Sequence, residues 1–404
     1  MTTSQNPSLL TQVPMAPKDP ILGVTETYNA DKNPNKVNLG VGIYYDDTGK
    51  VPVLECVRRA EKQIAEASAP RAYLPIDGLA AYDAAVQSLV FGADHPAVKD
   101  KRIVTVQALG GTGGLRVGAD LLKRFAPDAT VWISDPSWEN HQALFEAAGF
   151  PVKAYPYYDA PTHGVKFAQM HAHLQSLPAG SIVVLHACCH NPTGVDLSPE
   201  QWKSVLDTVR SRGLVPFLDL AYQGFAESID ADAAPVRQFA AAGGPVFVSS
   251  SFSKSLSLYG ERVGAFSLVA DSTEEASRAL SQLKRLVRTN YSNPPTHGGK
   301  VATTVLTTPE LRALWEKELG GMRERIRDMR RQFVEKLSPK APGKDFGFVL
   351  RQRGMFSYSG LTKEQVTRLR EEFSVYAIDT GRICVAALNS RNLDHVVNAV
   401  VKVL

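Results

Sequence analysis

The chain has 404 residues, with 45 lysines and arginines against 41 aspartates and glutamates, a formal charge of +4. At roughly 100–200 residues per domain this length makes two or three domains, and 44% hydrophobic with 21% charged residues excludes disordered, collagen-like and fibrous classes. So small a positive excess gives no case for nucleic-acid binding, although a local basic pocket could still hold small anions. The N-terminus, MTTSQNPSLLTQVP, lacks the basic-then-apolar layout of a signal peptide. Pro7, Pro14, Pro17 and Pro20 make it an extended arm that should pack on something else. No apolar run approaches the ~18 residues that span a bilayer, so a soluble, cytoplasmic protein without membrane contact is expected.

The middle of the chain alternates short β-branched runs with helical patterns. The runs are Ile103–Val106, Val131–Ile133, Ile182–Leu185, Val215–Leu218 and Val246–Val248. Each is continuously apolar, as strands buried on both faces are. Between them lie helical stretches such as Leu115–Phe125 and Glu200–Arg212. This order predicts an α/β fold, a mainly parallel sheet between helices. Further on, Met322, Ile326, Met329, Phe333 and Leu337 keep the spacing of a long amphipathic helix. Its six basic and three acidic side chains over residues 322–337 read as a solvated face. A smaller α+β unit follows: a strand at Phe346–Leu350, a helix at Thr362–Phe373 with a Thr362…Gln365 capping box, and a strand at Arg382–Leu388. The four cysteines (Cys56, Cys188, Cys189, Cys384) show no CxxC spacing and read as free, buried thiols.

Ligands of such sheets sit at the carboxyl ends of the strands, and the chemistry-bearing residues cluster there. Gly110-Gly111-Thr112-Gly113-Gly114 follows a strand and opens a helix, where backbone N–H groups could hold a phosphate or simply form a tight turn. Arg116 stands where a dinucleotide fingerprint needs glycine, and no P-loop Gly-Lys-Ser/Thr follows. Ser251-Phe252-Ser253-Lys254 fits the S-x-x-K of serine acyl-enzymes, yet the companion motifs of a Ser–Lys acyl hydrolase are missing. Lys254 still follows a strand, where an amine can be desolvated and become nucleophilic. Asp219 ends another strand with Tyr222 three residues on, Asn191 lies in His190-Asn191-Pro192-Thr193-Gly194, and Trp138 follows a third strand. Singly, Asp219 could be a helix cap, Asn191 an Asx turn and Trp138 a core aromatic. Together they offer an amine, a carboxylate, a phenol, an aromatic plate and a phosphate cradle, which suits pyridoxal 5'-phosphate.

Ser250-Ser251-Phe252-Ser253-Lys254 with Leu258-Tyr259-Gly260-Glu261-Arg262-Val263-Gly264 resembles the cofactor-lysine signature of class I aminotransferases. Asp219-Leu220-Ala221-Tyr222-Gln223-Gly224-Phe225, His190–Gly194 and Tyr291-Ser292-Asn293-Pro294-Pro295 match the same family in order and spacing, from about Asp19 to the C-terminus. The resemblance implies the fold of type I pyridoxal-phosphate transferases. It implies an arm (1–18), a large cofactor domain (51–319), a small domain joining 19–50 to 320–404, and a homodimer with shared active sites. It also implies that Lys254 bonds the cofactor and later shuttles the proton. Asp219 would keep the ring nitrogen protonated, Tyr222 and Asn191 would hydrogen-bond the ring's phenolic oxygen, and Trp138 would stack on the ring. Gly111, Thr112, Ser251, Ser253 and Arg262 would hold the phosphate, with Tyr73 reaching it from the neighbouring subunit. Arg382 would clamp the substrate α-carboxylate, helped by Asn191 and Gly42, while His141 and His190 would stand behind. No metal is implied.

Arg288, in Val287-Arg288-Thr289-Asn290-Tyr291, matches the family position that grips a side-chain carboxylate from the other subunit. It implies that aspartate and glutamate fit, with 2-oxoglutarate as acceptor. Tyr45, Val51 and Ala72 stand where dicarboxylate-specific bacterial relatives carry more polar residues, and Phe91–Pro96, His186–His190 and Ile383–Ala386 are similar to bacterial aromatic (tyrosine) aminotransferases. The expected substrates are therefore aromatic amino acids together with aspartate, and the partnering 2-keto acids. A mainly aspartate-directed enzyme is the alternative.

Overall fold

Seven strands hydrogen-bond into one sheet in the computed structural model, which describes residues 8–16 and 21–404. Numbered along the chain they are β1 (Ile103–Leu109), β2 (Val131–Asp135), β3 (Val152–Pro156), β4 (Ile182–His186), β5 (Val215–Leu220), β6 (Val246–Ser251) and β7 (Val263–Val269). Their order across the sheet is β1-β7-β6-β5-β4-β2-β3. All neighbours run parallel except β7, which is antiparallel to both β1 and β6. Successive side chains of a strand face opposite sides of a sheet, and here both sides are apolar. Val183, Leu185, Leu218, Val246 and Val248 join one core. Ile182, Val184, Phe217, Phe247 and Phe266 join the other. Each fully buried aliphatic or aromatic side chain stabilises the fold by about 1.5–3 kcal/mol. Helices on both faces complete the α/β layering, among them Gly110–Phe125, Pro199–Ser211 and Thr273–Asn290.

The strands run further than their apolar runs. β4 ends on His186, β5 takes in Asp219, and β6 continues through Ser249, Ser250 and Ser251. The Gly110–Phe125 helix likewise begins five residues before the expected Leu115. These polar and glycine extensions carry the side chains of the site.

Outside the sheet, Val37–Asn38 pairs in parallel with Val375–Tyr376, and Phe356–Tyr358 pairs with Arg382–Cys384 in antiparallel fashion. The long amphipathic helix covers Pro309–Leu337, and the helix Lys363–Phe373 starts at the expected Thr362/Gln365 capping box. Two expectations need correction. Phe346–Leu350 is not a strand: Phe348–Arg351 forms one helical turn, because a short apolar run does not distinguish the two states. Arg382–Leu388 is a strand only to Cys384 and then turns into a 3-10 segment, Val385–Ala387. Of the N-terminal arm, residues 9–12 form a single 3-10 turn with Leu9, Leu10, Val13 and Met15 exposed. Pro7, Pro17 and Pro20, and the start of the small domain at 19–20, lie outside the described residues. All four cysteines are free and buried, as expected. No helix among the described residues is long and apolar enough to cross a membrane.

Candidate active site

The carboxyl ends of β4, β5 and β6, with the loop after β1, close around a cavity of about 400 Å³. Gly42, Gly111, Thr112, Trp138, Asn191, Asp219, Tyr222, Ser251, Ser253, Lys254 and Arg262 all line it. Arg382 stands immediately behind, donating from Nη1 to Asn191 Oδ1 at 3.0 Å. Tyr73 and Arg288 are not among the lining residues. Tyr73 is 92% exposed, and Arg288 is an exposed residue near a helix end, hydrogen-bonded to Ser292. The residues expected to shape substrate preference are also elsewhere within one chain. Tyr45 lines a separate cleft, and Val51 and Ala72 are exposed.

Asp219 is buried, and its Oδ2 accepts from His141 Nε2 at 2.9 Å while His141 Nδ1 meets Ser137 Oγ at 2.9 Å. Burial raises the carboxyl, but the His141 hydrogen bond and the nearby Lys254 outweigh it and hold Asp219 below its usual range. The carboxylate is thus charged and oriented. Lys254 follows β6 and is partly buried, with Nζ 5.1 Å from the Tyr222 ring centroid. Burial, helped by Arg262 and Arg382 and opposed by Asp219, pulls the amine down to about 8. Among the described residues no hydrogen bond joins Lys254 to Ser251, whose hydroxyl instead accepts from Ser253 N at 3.2 Å. A Ser–Lys nucleophile is therefore not assembled.

The basic residues are held at separate places. Arg382 is 1% exposed and donates from Nη2 to Gly40 O at 2.6 Å, with its guanidinium 4.4 Å from the Phe356 ring centroid. Its buried Nε has no partner, which leaves donors free for an anion. Arg262 sits in the left-handed region (φ 54°) and donates to Tyr259 O at 2.9 Å. That conformation brings it beside Gly110 and the first turn of the Gly110–Phe125 helix, where backbone N–H groups and the helix dipole favour negative charge. Ser249 Oγ fixes that turn by donating to Gly111 O at 2.9 Å.

His186 escaped the sequence reading. It lines the cavity with both ring nitrogens buried and unpartnered, and its ring lies 4.9 Å from that of His141. Burial and the neighbouring His141 lower it to about 3, so it is neutral. Only the strand register reveals it: His186 ends β4 opposite Asp219 on β5. His190, by contrast, is tied to Ser134 Oγ and Thr193 Oγ1 and stacks on Tyr157. It buttresses the site and does not line it. Val41, Ile43, Leu115, Ala221 and Tyr259 complete the walls.

A doubly covered sheet whose strand ends surround a low-basicity amine, an ionised buried carboxylate and an anion cradle defines an α/β enzyme with a cofactor site of the pyridoxal-phosphate kind. Comparison with known proteins narrows this. The family described as aminotransferase class I and II matches residues 34–400. Aspartate aminotransferase of Pseudomonas aeruginosa is 62% identical, over 98% of this chain and 100% of the relative. Aromatic-amino-acid aminotransferase of Escherichia coli is 50% identical, over 96% and 98% respectively. The crystal structure of aromatic-amino-acid aminotransferase from Burkholderia pseudomallei, covalently bound to pyridoxal phosphate, superposes with a TM-score of 0.96 at 64% identity, covering 98% of this chain and 100% of that one. The chain belongs to the class I and II aminotransferases.

Proposed function

We propose that the protein is an aromatic-amino-acid aminotransferase that also accepts aspartate. It moves the amino group of tyrosine or phenylalanine reversibly to 2-oxoglutarate, releasing the first keto acid before the second binds. The observation that carries this reading is the convergence of Lys254, Asp219, Arg262 and the Gly111–Thr112 turn on one cavity, with the Arg382 guanidinium behind it. That donor set fits pyridoxal phosphate: a primary amine for its aldehyde, an anionic partner for its ring nitrogen, and a helix terminus with serines and an arginine for its phosphate. When bound, the cofactor supplies an aldehyde that takes up the amino group and a ring that draws electron density from the substrate Cα.

The chain's own residues do the rest. Gly111, Thr112, Ser251, Ser253 and Arg262 would hold the phosphate, Trp138 would cover one ring face, and Asn191 and Tyr222 would bond the phenolic oxygen. Asp219, charged and held by His141, keeps a proton on the ring nitrogen. Arg382 binds the substrate α-carboxylate through its free donors, which orients the Cα–H bond. Lys254, its amine lowered to about 8 so that a large share is unprotonated near that pH, is positioned to take the proton from Cα and return it. The walls Val41 and Ile43 suit an aromatic side chain, which gains about 25 cal/mol per Å² of apolar surface buried.

Tyr73 and Arg288, exposed in one chain, would complete the site of a second copy, so we place the protein as a homodimer. The parallel pairing of Val37–Asn38 with Val375–Tyr376 supports a small domain built from both ends of the chain, 19–50 and 320–404, against a large domain of 51–319. Four unpaired cysteines suit a reducing, cytoplasmic location. One observation favours a second reading, an aspartate aminotransferase with little aromatic activity: the Pseudomonas relative at 62% identity carries that name. The deciding measurement is kcat/KM for tyrosine, phenylalanine and aspartate with 2-oxoglutarate. Tyrosine and phenylalanine turning over at rates comparable to aspartate support the aromatic assignment, and a strong preference for aspartate overturns it.

A further inference from the structure

Behind the active cavity lies a second one of about 580 Å³, separated from it by the segment that follows β4. His186 and Asn191 face the first cavity, while Ala187 and Cys188 line the second. Adjacent side chains in an extended segment normally point to opposite sides. Here Cys189 adopts φ 51°, a left-handed conformation uncommon outside glycine, and the Sγ atoms of Cys188 and Cys189 lie within 4.8 Å of each other.

We propose that Cys188 and Cys189 form a dithiol site for a trivalent arsenical, entered from the cavity beside Cys188 and coupled through Cys189 to Asn191 and Tyr222. Both sulfurs bond one arsenic centre. With phenylarsine oxide, two S–H bonds and the As–O bond break, two As–S bonds form, and both protons leave on the oxygen as water. Arsenic stays trivalent, so neither oxidant nor reductant is needed. The condensation starts from neutral thiols, and these are neutral: Cys189 and burial push Cys188 up, and burial pushes Cys189 up to about 11. The same neutrality disfavours peroxide oxidation, in which a thiolate must attack the peroxide oxygen. A divalent metal is also disfavoured, because it must displace two protons and because Asp232, the third potential ligand, already accepts from the backbone N–H groups of Gly224, Ala226, Glu227 and Ser228. Trp202, Val195, Ala231 and Pro235 line the second cavity and offer an apolar seat for the phenyl group.

The site has no slack on its inner side. Cys189 Sγ lies 3.9 Å from Tyr222 O, and a Cβ on Gly354 would come within 2.8 Å of the same sulfur. Gly354 O and Phe356 O are both held by Arg330, and the Phe356 ring underlies the Arg382 guanidinium. A close-packed interior passes such a displacement on, here to Asn191, Tyr222 and Arg382 together.

The test is native mass spectrometry of the holoenzyme with phenylarsine oxide, alongside transamination rates. The expected result is one phenylarsenic group per chain, loss of two of the four thiols, and more than tenfold loss of turnover that 2,3-dimercaptopropanol restores and a monothiol does not. Cys188→Ala and Cys189→Ala should each keep basal turnover and become resistant. Cys188→Ser serves where an alanine variant folds poorly. No adduct on the folded protein, an adduct on Cys56 or Cys384, or undiminished sensitivity in both variants overturns the site. An adduct on the pair with full turnover overturns the coupling. The mass readout needs no catalysis, so it stands apart from the assignment of the substrate.

Discussion

Lys254 stands among charges that oppose one another. Asp219 favours its protonated form, while burial, Arg262 and Arg382 favour the free amine and prevail, bringing it to about 8. Between that value and the ordinary lysine range, the unfolded chain still holds a proton that the folded chain has released. Over that window this residue's contribution to stability therefore rises with pH. Asp219 behaves oppositely: held below its usual range, it contributes stability above the ordinary carboxylate pKa and loses it as acid protonates the folded form. For chemistry, the lysine matters more. Pyridoxal, which lacks the phosphate, should trap Lys254 of the apoprotein at a rate rising about tenfold per pH unit and levelling above about 8. A rate still climbing beyond pH 10, or unchanged trapping in Lys254→Ala, contradicts the assignment. Lys254 was legible because it closes the Ser251-Phe252-Ser253-Lys254 motif just after a strand, and Asp219 because it breaks an apolar run with a charge. His186 was not, because a histidine closing such a run looks like the end of a core strand, and only the register with Asp219 reveals its neighbour.

At the scale of elements, the apolar run and the strand do not end together. The run gives way to polar residues after Leu185, Leu218 and Val248, whereas the ladder continues through His186, Asp219 and Ser251, the last two still buried. The site occupies that difference, so the sheet and its active edge could be read from the chain while the strand ends could not. The helix opens on the glycine run at Gly110, as its place after a strand implies, although such a run has poor helix propensity. Tertiary contact explains it. Gly110 holds φ 68°, and a Cβ there would lie 2.4 Å from Arg262 Nη2 and 2.9 Å from Cζ. Gly110→Ala should therefore cost about 1–2 kcal/mol of stability from the left-handed backbone and displace the Arg262 guanidinium. We expect pyridoxal phosphate to bind at least about tenfold more weakly, as loss of one charge-assisted hydrogen bond predicts. Binding of unphosphorylated pyridoxal should hardly change. Equilibrium titration of the two aldehydes checks this, and equal weakening of both would show that the turn does not serve the phosphate.

For the whole molecule, the question is whether one chain makes a working site. Its cavity holds the Lys254 amine and the Asp219 carboxylate, with the Arg382 guanidinium behind it, yet Tyr73 and Arg288, matched to the family by sequence, lie on the surface. A two-fold dimer presents the same patch of each copy to the other, so a residue useless to its own site can serve its partner's. The exposed Leu9, Leu10, Val13 and Met15 of the arm add apolar surface of the kind such an interface buries. Complementation tests this directly, with aspartate as donor so that Arg288 matters. Lys254→Ala chains lack the amine and Arg288→Ala chains lack the distal guanidinium, so each homodimer has two defective sites. In a mixed dimer, one site takes Lys254 from one copy and Arg288 from the other and is complete, while the second lacks both. Random reassembly of equal amounts makes about half the dimers mixed, each with one intact site of two, hence about a quarter of wild-type activity. If each site drew both residues from a single chain, no mixture could exceed the average of its two parents, and the recovery would be absent.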